Sequence, residues 1–306
     1  MDKIIAYLIS AHNQEKHLYN LINRLNNEKV HFFVHIDKKS ELDKFSKLNE
    51  FKNLTFVEER INVNWKGFSQ VESTIKLLKC AITSGISFKH FVFLSGSDYP
   101  IKSNQHILDF FSNSEKNYID FKKISDDNSI ISYLKNRSWR RKLTMWHFYD
   151  TLKINWNAQG NQYKLFVYRV FIICNLILNL ILPKRKFFKE FKAYGGSQWW
   201  SIDENTVKYI LEFYENNLKF INYYKYTDSP DEMFFQTLIL NSPFKENTVN
   251  DNLRYIDWSL PVERPKILIE EDFEKIINSD KLFARKFNNK RSKKLIAKIN
   301  GVIEFE

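Results

Sequence analysis

The stretch "HFVFLSGSDYP", residues 90–100, runs apolar and then breaks into small and polar residues. Its apolar side chains follow one another without alternating. That is the mark of a strand covered on both faces, as in a parallel sheet between helices. "KIIAYLISAH" (3–12) and "VHFFVHID" (30–37) have the same character, and "LTFVEE" (54–59) is a shorter version. Between them, apolar residues return at helical spacing: Leu18, Leu21, Ile22 and Leu25 within 15–25, then a second run from Gln70 to Ile82. This alternation predicts an α/β fold with a mainly parallel sheet flanked by helices. Ligands on such sheets bind beyond the carboxyl ends of the strands. Those ends carry Ser10 and His12, His35 and Asp37, and Ser97 and Asp98.

The chain has 306 residues, 43% of them apolar, enough core for one large domain or two modest ones. Its 47 basic and 36 acidic residues leave a net charge of +11, which favours an anionic partner. Nucleic acid, a phospholipid surface and a nucleotide-linked substrate all qualify. The basic stretch "KNRSWRRK" (135–142) is the main support for nucleic acid, but no recognition motif accompanies it, so no nucleic-acid partner is expected. No G-x-G-x-x-G, Walker loop or H-E-x-x-H occurs, which argues against dinucleotide, P-loop and zincin chemistry. Cys80 and Cys174 are the only cysteines and stand in apolar surroundings, so buried free thiols are expected. The opening "MDKIIAYLISAHN" has too short an apolar run for a signal peptide, so the cytoplasm is the expected compartment.

Residues 165–182, "LFVYRVFIICNLILNLIL", form an apolar segment broken only by Arg169, Asn175 and Asn179, and "PKRKFFK" follows. The segment falls short of the roughly 20 apolar residues of a clean span. Two readings stay open: a helix packed in the fold, or a helix lying at a membrane interface beside a basic anchor.

"YTDSPDEMFFQT" (226–237) gathers Asp228, Asp231 and Glu232 just before an apolar helical pattern. Ser229 suits an N-cap, Pro230 a first helical turn, and Glu232 stands at capping-box spacing. The acids then serve a helix start. The alternative is a carboxylate facing a cleft, where Glu232 can act as general base toward an attacking hydroxyl.

With these segments in order, the chain resembles the core-2 and I-branching β-1,6-N-acetylglucosaminyltransferases, a family that includes peptide O-xylosyltransferases. The resemblance rests on "YLISAHN", "VHIDKKS", "VNWKGFSQVEST", "FLSGSDYPIKS", "YGGSQWWSI", "SPDEMFFQT", "NLRYIDWS" and "LFARKF", spread over residues 7–287, while about 122–190 matches poorly. It implies a GT-A-like nucleotide-sugar glycosyltransferase that inverts the anomeric centre and needs no divalent metal or other cofactor. Glu232 would be the base. Arg264 and Lys286 would neutralise the UDP diphosphate, with Arg254 and Arg285 as less favoured alternatives.

The same resemblance sets Asp37 and His35 beside the uridine, with Ser10 and His12 in the same pocket. Val63 and Trp65 would cover the nucleobase, and Ser97 and Asp98 would lie near ribose and diphosphate. The spacing of His35 and Asp37 also suits strand-end hydrogen bonding or metal ligation, but two ligands without a third make no metal site. Asp98 can instead close a turn. On the sugar side stand Gly195 and Gly196, whose lack of a side chain lets backbone amides approach a ligand. Trp199 or Trp200 would stack on the sugar or pack the core. Asp120, Asp231, Tyr255 and Trp258 complete the substrate contacts.

Animal members carry a membrane anchor, a lumenal stem and disulfides, so this chain looks like a compact bacterial relative. A single catalytic domain over 1–300 is expected, with a nucleotide-binding half (1–115) and an acceptor-binding and catalytic half (116–300). The donor expected is UDP-GlcNAc or UDP-xylose. The acceptor expected is a surface-polysaccharide or lipid-linked glycan, with peripheral contact at the inner membrane face. A nucleic-acid-binding protein and a membrane-surface scaffold with a degenerate sugar site are the competing readings.

Overall fold

A computed structural model describes residues 3–124, 130–151, 162–260 and 264–303. The chain begins β1 (Lys3–Ala11), α1 (Glu15–Leu25), β2 (Val30–Ile36), β3 (Leu54–Phe56), α2 (Ser69–Thr83) and β4 (Phe88–Ser95). These follow the expected βα alternation closely. Strands β3, β2, β1 and β4 lie parallel in that order, with Ser10 level with His35 on one side and Ser95 on the other. The polar strand ends therefore share one edge of the sheet. The result is a GT-A-like α/β fold, a central sheet flanked by helices.

The strand in "HFVFLSGSDYP" ends, as expected, in its small residues: Gly96 and Ser97 turn the chain, and β5 (Asp98–Pro100) then joins a second sheet. The chain continues with α3 (Asn104–Asn113), β6 (Asn117–Ile119), β7 (Lys122–Lys123), α4 (Ile130–Thr144), α5 (Gln162–Ile181), β8 (Tyr194–Gly195) and β9 (Trp200–Asp203). Then come α6 (Glu204–Asn216), α7 (Leu218–Tyr224), α8 (Phe234–Leu240), β10 (Thr248–Val249), β11 (Arg254–Ile256), α9 (Phe273–Ile277), β12 (Phe283–Arg285) and α10 (Lys293–Ile303). Strand β9 inserts antiparallel between β4 and β6, and β10 closes that edge, so the sheet draws strands from both halves of the chain. In the second sheet β12 sits between β11 and β5.

One face of the main sheet packs α2, α6 and α8 through residues such as Leu77, Ile210 and Phe234. The other packs α1, α3 and α10 through Leu21, Phe111 and Leu295. Helix α10 is basic but amphipathic: Leu295, Ile299 and Ile303 are buried, and its lysines occupy the outer face. Phe220 anchors an aromatic cluster beneath α7, with ring centroids 5.1 Å from Phe213 and 5.5 Å from Phe234. Such pairs each add about 0.5–1.5 kcal/mol beyond area burial.

Helix α2 starts beside the polar edge and lacks a local cap. Asp150 supplies one from 81 residues away: Oδ2 accepts from Ser69 N at 2.9 Å and Oδ1 from Ser69 Oγ at 2.6 Å. Gly67 makes room for it, since a Cβ there would stand 2.3 Å from Asp150 Oδ1. Asp150→Ala is expected to cost roughly 0.5–2 kcal/mol, the range for a lost N-cap, read as a lower urea midpoint. An unchanged midpoint would mean that water caps the helix as well.

Candidate active site

The acidic segment does not form a capping box. Ser229 is left-handed at φ 50° and caps nothing with its side chain; its hydroxyl donates to Asp228 Oδ1 at 2.8 Å. A short 3-10 turn, Pro230–Glu232, follows, and α8 begins only at Phe234. The three carboxylates thereby separate. Asp228 is held by Ser229 and by Tyr149, whose hydroxyl donates to Oδ2 at 3.3 Å. Asp231 turns inward, where its Oδ2 accepts from Gln70 Nε2 at 2.8 Å and its buried Oδ1 has no partner. Glu232 turns outward, with its side chain 35% exposed and Oε2 2.7 Å from Lys142 Nζ.

The turn is fixed on every side. Gly196 N donates to Glu232 O at 2.8 Å, and Ser229 N donates to Lys66 O at 3.1 Å. Lys142 is held in turn by Trp139, its ammonium 4.7 Å from the ring centroid. Trp139 lies so close to the sheet that a Cβ at Gly195 would meet it at 2.6 Å. Burial, and then the neighbouring Glu232, push the Asp231 carboxyl up to about 8. Near neutrality Asp231 therefore keeps its proton, and Glu232 stands as the outward-facing carboxylate of the pair.

Lys66 leads to a group of cations around Trp65. Trp65 is 41% exposed, with Lys66 Nζ 4.9 Å and the Arg264 guanidinium 5.8 Å from its ring. Lys286 lies in the same electrostatic neighbourhood: burial, then Arg285 and Arg264, lower its pKa, and Asp98 opposes them. Among the described residues neither Arg264 nor Lys286 pairs with a carboxylate. His12 opens to the same space; surrounding protein lowers its pKa, Asp37 opposes, and Lys286 and Lys39 add to the lowering. Asp37 accepts from Lys39 N at 2.9 Å and lies 3.2 Å from Lys39 Nζ, which also donates to Val63 O. Ser10 sits half-exposed at the end of β1, and Ser97 Oγ accepts from Gln14 Nε2 at 3.3 Å.

Several expected contacts are taken up by the fold instead. His35 is fully buried, its Nε2 accepts from Ile61 N at 2.9 Å, and burial drives its pKa down to about 4. It is a neutral strand-end anchor for the loop that carries Val63 and Trp65. Asp98 is also fully buried: Oδ2 accepts from Ser95 N at 2.7 Å and Oδ1 lies 3.5 Å from Arg285 Nε, so it closes the turn after β4 and holds an arginine. Trp200 is wholly interior between Phe93 and Phe235. Trp199 is buried between Phe93 and the Arg285 guanidinium, which lies 4.0 Å from its ring. Neither offers a face to a sugar. The Gly196 amide is spent on Glu232, and Gly196 is small because a Cβ there would stand 2.0 Å from Asp120 O.

Of the alternative cations, Arg254 donates to the carbonyls of Phe93 and Asn252 and Arg285 faces Asp98, so both are structural. The Asp120 carboxylate accepts from Ser197 N at 2.9 Å. Tyr255 is half-buried on β11, and Trp258 is 60% exposed beyond it. Among the described residues no three His, Cys, Asp or Glu side chains converge as metal ligands. Lys142, Gln70 and Asp150 were missed in the sequence. Lys142 lies inside the basic stretch read there as possible nucleic-acid support, and nothing in local spacing reveals a partner 90 residues away.

Comparison with known proteins fits this arrangement. The family description "Branch: Core-2/I-Branching enzyme" matches residues 5–277, so the chain belongs to the core-2/I-branching enzyme family. It is 26% identical over 302 residues to beta-glucuronosyltransferase GlcAT14A of Arabidopsis thaliana, covering 92% of this chain and 60% of that protein. It is 26% identical over 263 residues to xylosyltransferase 2 of Rattus norvegicus, covering 83% of this chain but 26% of the relative. The chain thus spans less than two thirds of either relative's length.

The Asp231 pair gives a stability signature. The unfolded chain releases this proton near 3.8 and the folded one only toward 8, so in that window the folded state holds the extra proton and stability falls as pH rises. Asp231→Asn, which keeps an acceptor for Gln70, is expected to flatten the decline between pH 5 and pH 8 in thermal melts. An unaltered pH slope would assign the dependence to another group.

Proposed function

We propose that the chain is a UDP-sugar-dependent, inverting, metal-independent β-glycosyltransferase, a bacterial member of its family working in the cytoplasm on a surface-polysaccharide or lipid-linked glycan. One observation carries the reading: Arg264, 5.8 Å from the Trp65 ring, and Lys286, whose pKa Arg264 helps to lower, are neighbouring cations that have no carboxylate ion-pair partner among the described residues. An unneutralised cation pair is ready for a diphosphate, with Arg offering a fork and Lys a point charge.

In the proposed reaction the acceptor hydroxyl oxygen attacks the anomeric carbon from the face opposite UDP, and its proton passes to a Glu232 carboxylate oxygen. The bond from that carbon to the β-phosphate oxygen breaks, and UDP departs with the electron pair. Attack from the opposite face turns an α-linked donor into a β-linked product. Arg264 and Lys286 take up the charge on the leaving diphosphate, the task a divalent ion performs in other sites. His12, Asp37, Val63 and Trp65 are proposed to line the nucleoside, and Asp120, Tyr255 and Trp258 the acceptor. Lys142 holds the Glu232 carboxylate until the acceptor hydroxyl replaces it as partner.

The donor proposed remains UDP-GlcNAc or UDP-xylose. The relatives' names support xylosyl transfer and add UDP-glucuronate as a third candidate. Calorimetric titration of the three UDP-sugars in EDTA separates them.

Glu232→Gln is expected to lower transfer by about 10²–10⁴-fold, the usual contribution of a positioned base, with UDP affinity nearly unchanged. Arg264→Ala and Lys286→Ala are each expected to weaken UDP binding and slow turnover together. Full turnover in Glu232→Gln would remove this residue as the base.

A further inference from the structure

Helix α5 reverses the usual arrangement of a surface helix, in which apolar side chains turn inward and polar ones outward. Asn179 faces the protein: its amide donates to Trp146 O and Asn175 O, each at 2.8 Å, and its Oδ1 accepts from Trp146 N at 2.7 Å. Phe171 is buried beside it. The outward stripe holds Phe166, Ile173, Leu176, Ile177 and Leu180, which are 64, 56, 45, 52 and 87% exposed. Exposed Arg169 is the one charged residue on that stripe. A contiguous apolar surface of this kind marks an interaction face. Among the described residues no helix is long and apolar enough to cross a membrane, so α5 fits a position along a bilayer rather than through it.

The charges around α5 select its partner. Glu190 is the one acidic residue from 162 to 192, while Lys184, Lys186, Lys189 and Lys192 follow the helix directly. Beside its end lies a depression of ≈ 630 Å³, with Lys186, Lys189 and Lys219 among its lining residues together with the aromatic rings of Trp146, Phe187 and Tyr223. Aromatic rings beside lysines suit the headgroup level of a bilayer. A second copy of the chain fits poorly. Parallel pairing through α5 would set these lysines against each other, and antiparallel pairing would set them against Arg169.

We propose that α5 and the segment 183–192 lie flat on an anionic phospholipid membrane, the apolar stripe at the acyl boundary and the lysines on headgroup phosphates. The contact is coupled to the site by Arg185. Its guanidinium donates to Met145 O at 3.1 Å, Tyr226 O at 2.5 Å, Thr227 Oγ1 at 3.2 Å and Tyr223 O. Those groups adjoin α4, which carries Lys142, and the strand of chain that runs into Asp228–Glu232. The segment that follows the membrane face is therefore hydrogen-bonded to the chain that leads into the Glu232 turn. The inference stands on α5 itself and does not depend on the reaction proposed above.

Flotation with vesicles of phosphatidylglycerol and phosphatidylcholine, against phosphatidylcholine alone, tests it. The full chain is expected to float with the anionic vesicles and at least tenfold less with the neutral ones, the difference shrinking at high salt. Leu180→Glu/Ile177→Glu and Lys184→Glu/Lys186→Glu are each expected to reduce flotation tenfold or more with an unchanged thermal melt, because these side chains are exposed. No flotation, or flotation untouched by either double variant, overturns the proposal. So does a dimer in sedimentation velocity that Leu180→Glu dissolves.

Discussion

The peptide turn at 230–232 is the constraint on which the site depends. Its backbone carbonyl is taken by Gly196, its approach is tied to Lys66, Asp231 is drawn inward by Gln70, and Glu232 is met by Lys142. Three parts of the fold meet these residues, α2, α4 and the β8–β9 connection, while the loop before α2 holds Ser229 just ahead of them. With Asp231 buried and protonated, the carboxylate left facing the cleft belongs to Glu232. A helix cap would have used that carboxylate locally. The left-handed Ser229 breaks the cap and frees it.

The cations divide in the same way. Arg185 and Arg254 are interior and donate to backbone carbonyls, while Arg285 forms an ion pair with Asp98 and lies over the Trp199 ring. Removing water from such groups is costly unless they are paired, so they serve the fold. Among the described residues Arg264 and Lys286 have no carboxylate ion-pair partner; Arg285 and Arg264 lower the Lys286 pKa, and Asp98 opposes them. Crowding two like charges is unfavourable until an anion arrives, which is how a site can prefer a diphosphate without a resident metal.

The N-terminal part of the fold was legible in the sequence because its signals are local. Periodicity alone outlines β1, α1, β2 and α2 to within a residue or two. The turn after β4 was marked by the small and polar residues Ser95–Asp98, but the move of β5 into a second sheet was not, because its partner β12 lies far along the chain. Long-range partners were invisible for a different reason. Asp150 caps a helix 81 residues away, and Lys142 meets a glutamate 90 residues away, so neither leaves a pattern in its own neighbourhood. His35, Asp98, Trp199 and Trp200 stand in suggestive motifs, yet burial assigns them to packing and turn closure. Motif identity names the residue types a site needs; only burial and hydrogen bonding separate those that face a ligand from those that hold the wall.

The most direct test is a crystal structure of the chain with UDP, grown in EDTA. The account expects the diphosphate oxygens within hydrogen-bond reach of Arg264 and Lys286, the uracil near Trp65, and the Glu232 carboxylate on the side where the sugar would extend. A diphosphate bound elsewhere, with Arg264 and Lys286 left in bulk water and Glu232 remote from the phosphate end, would contradict it.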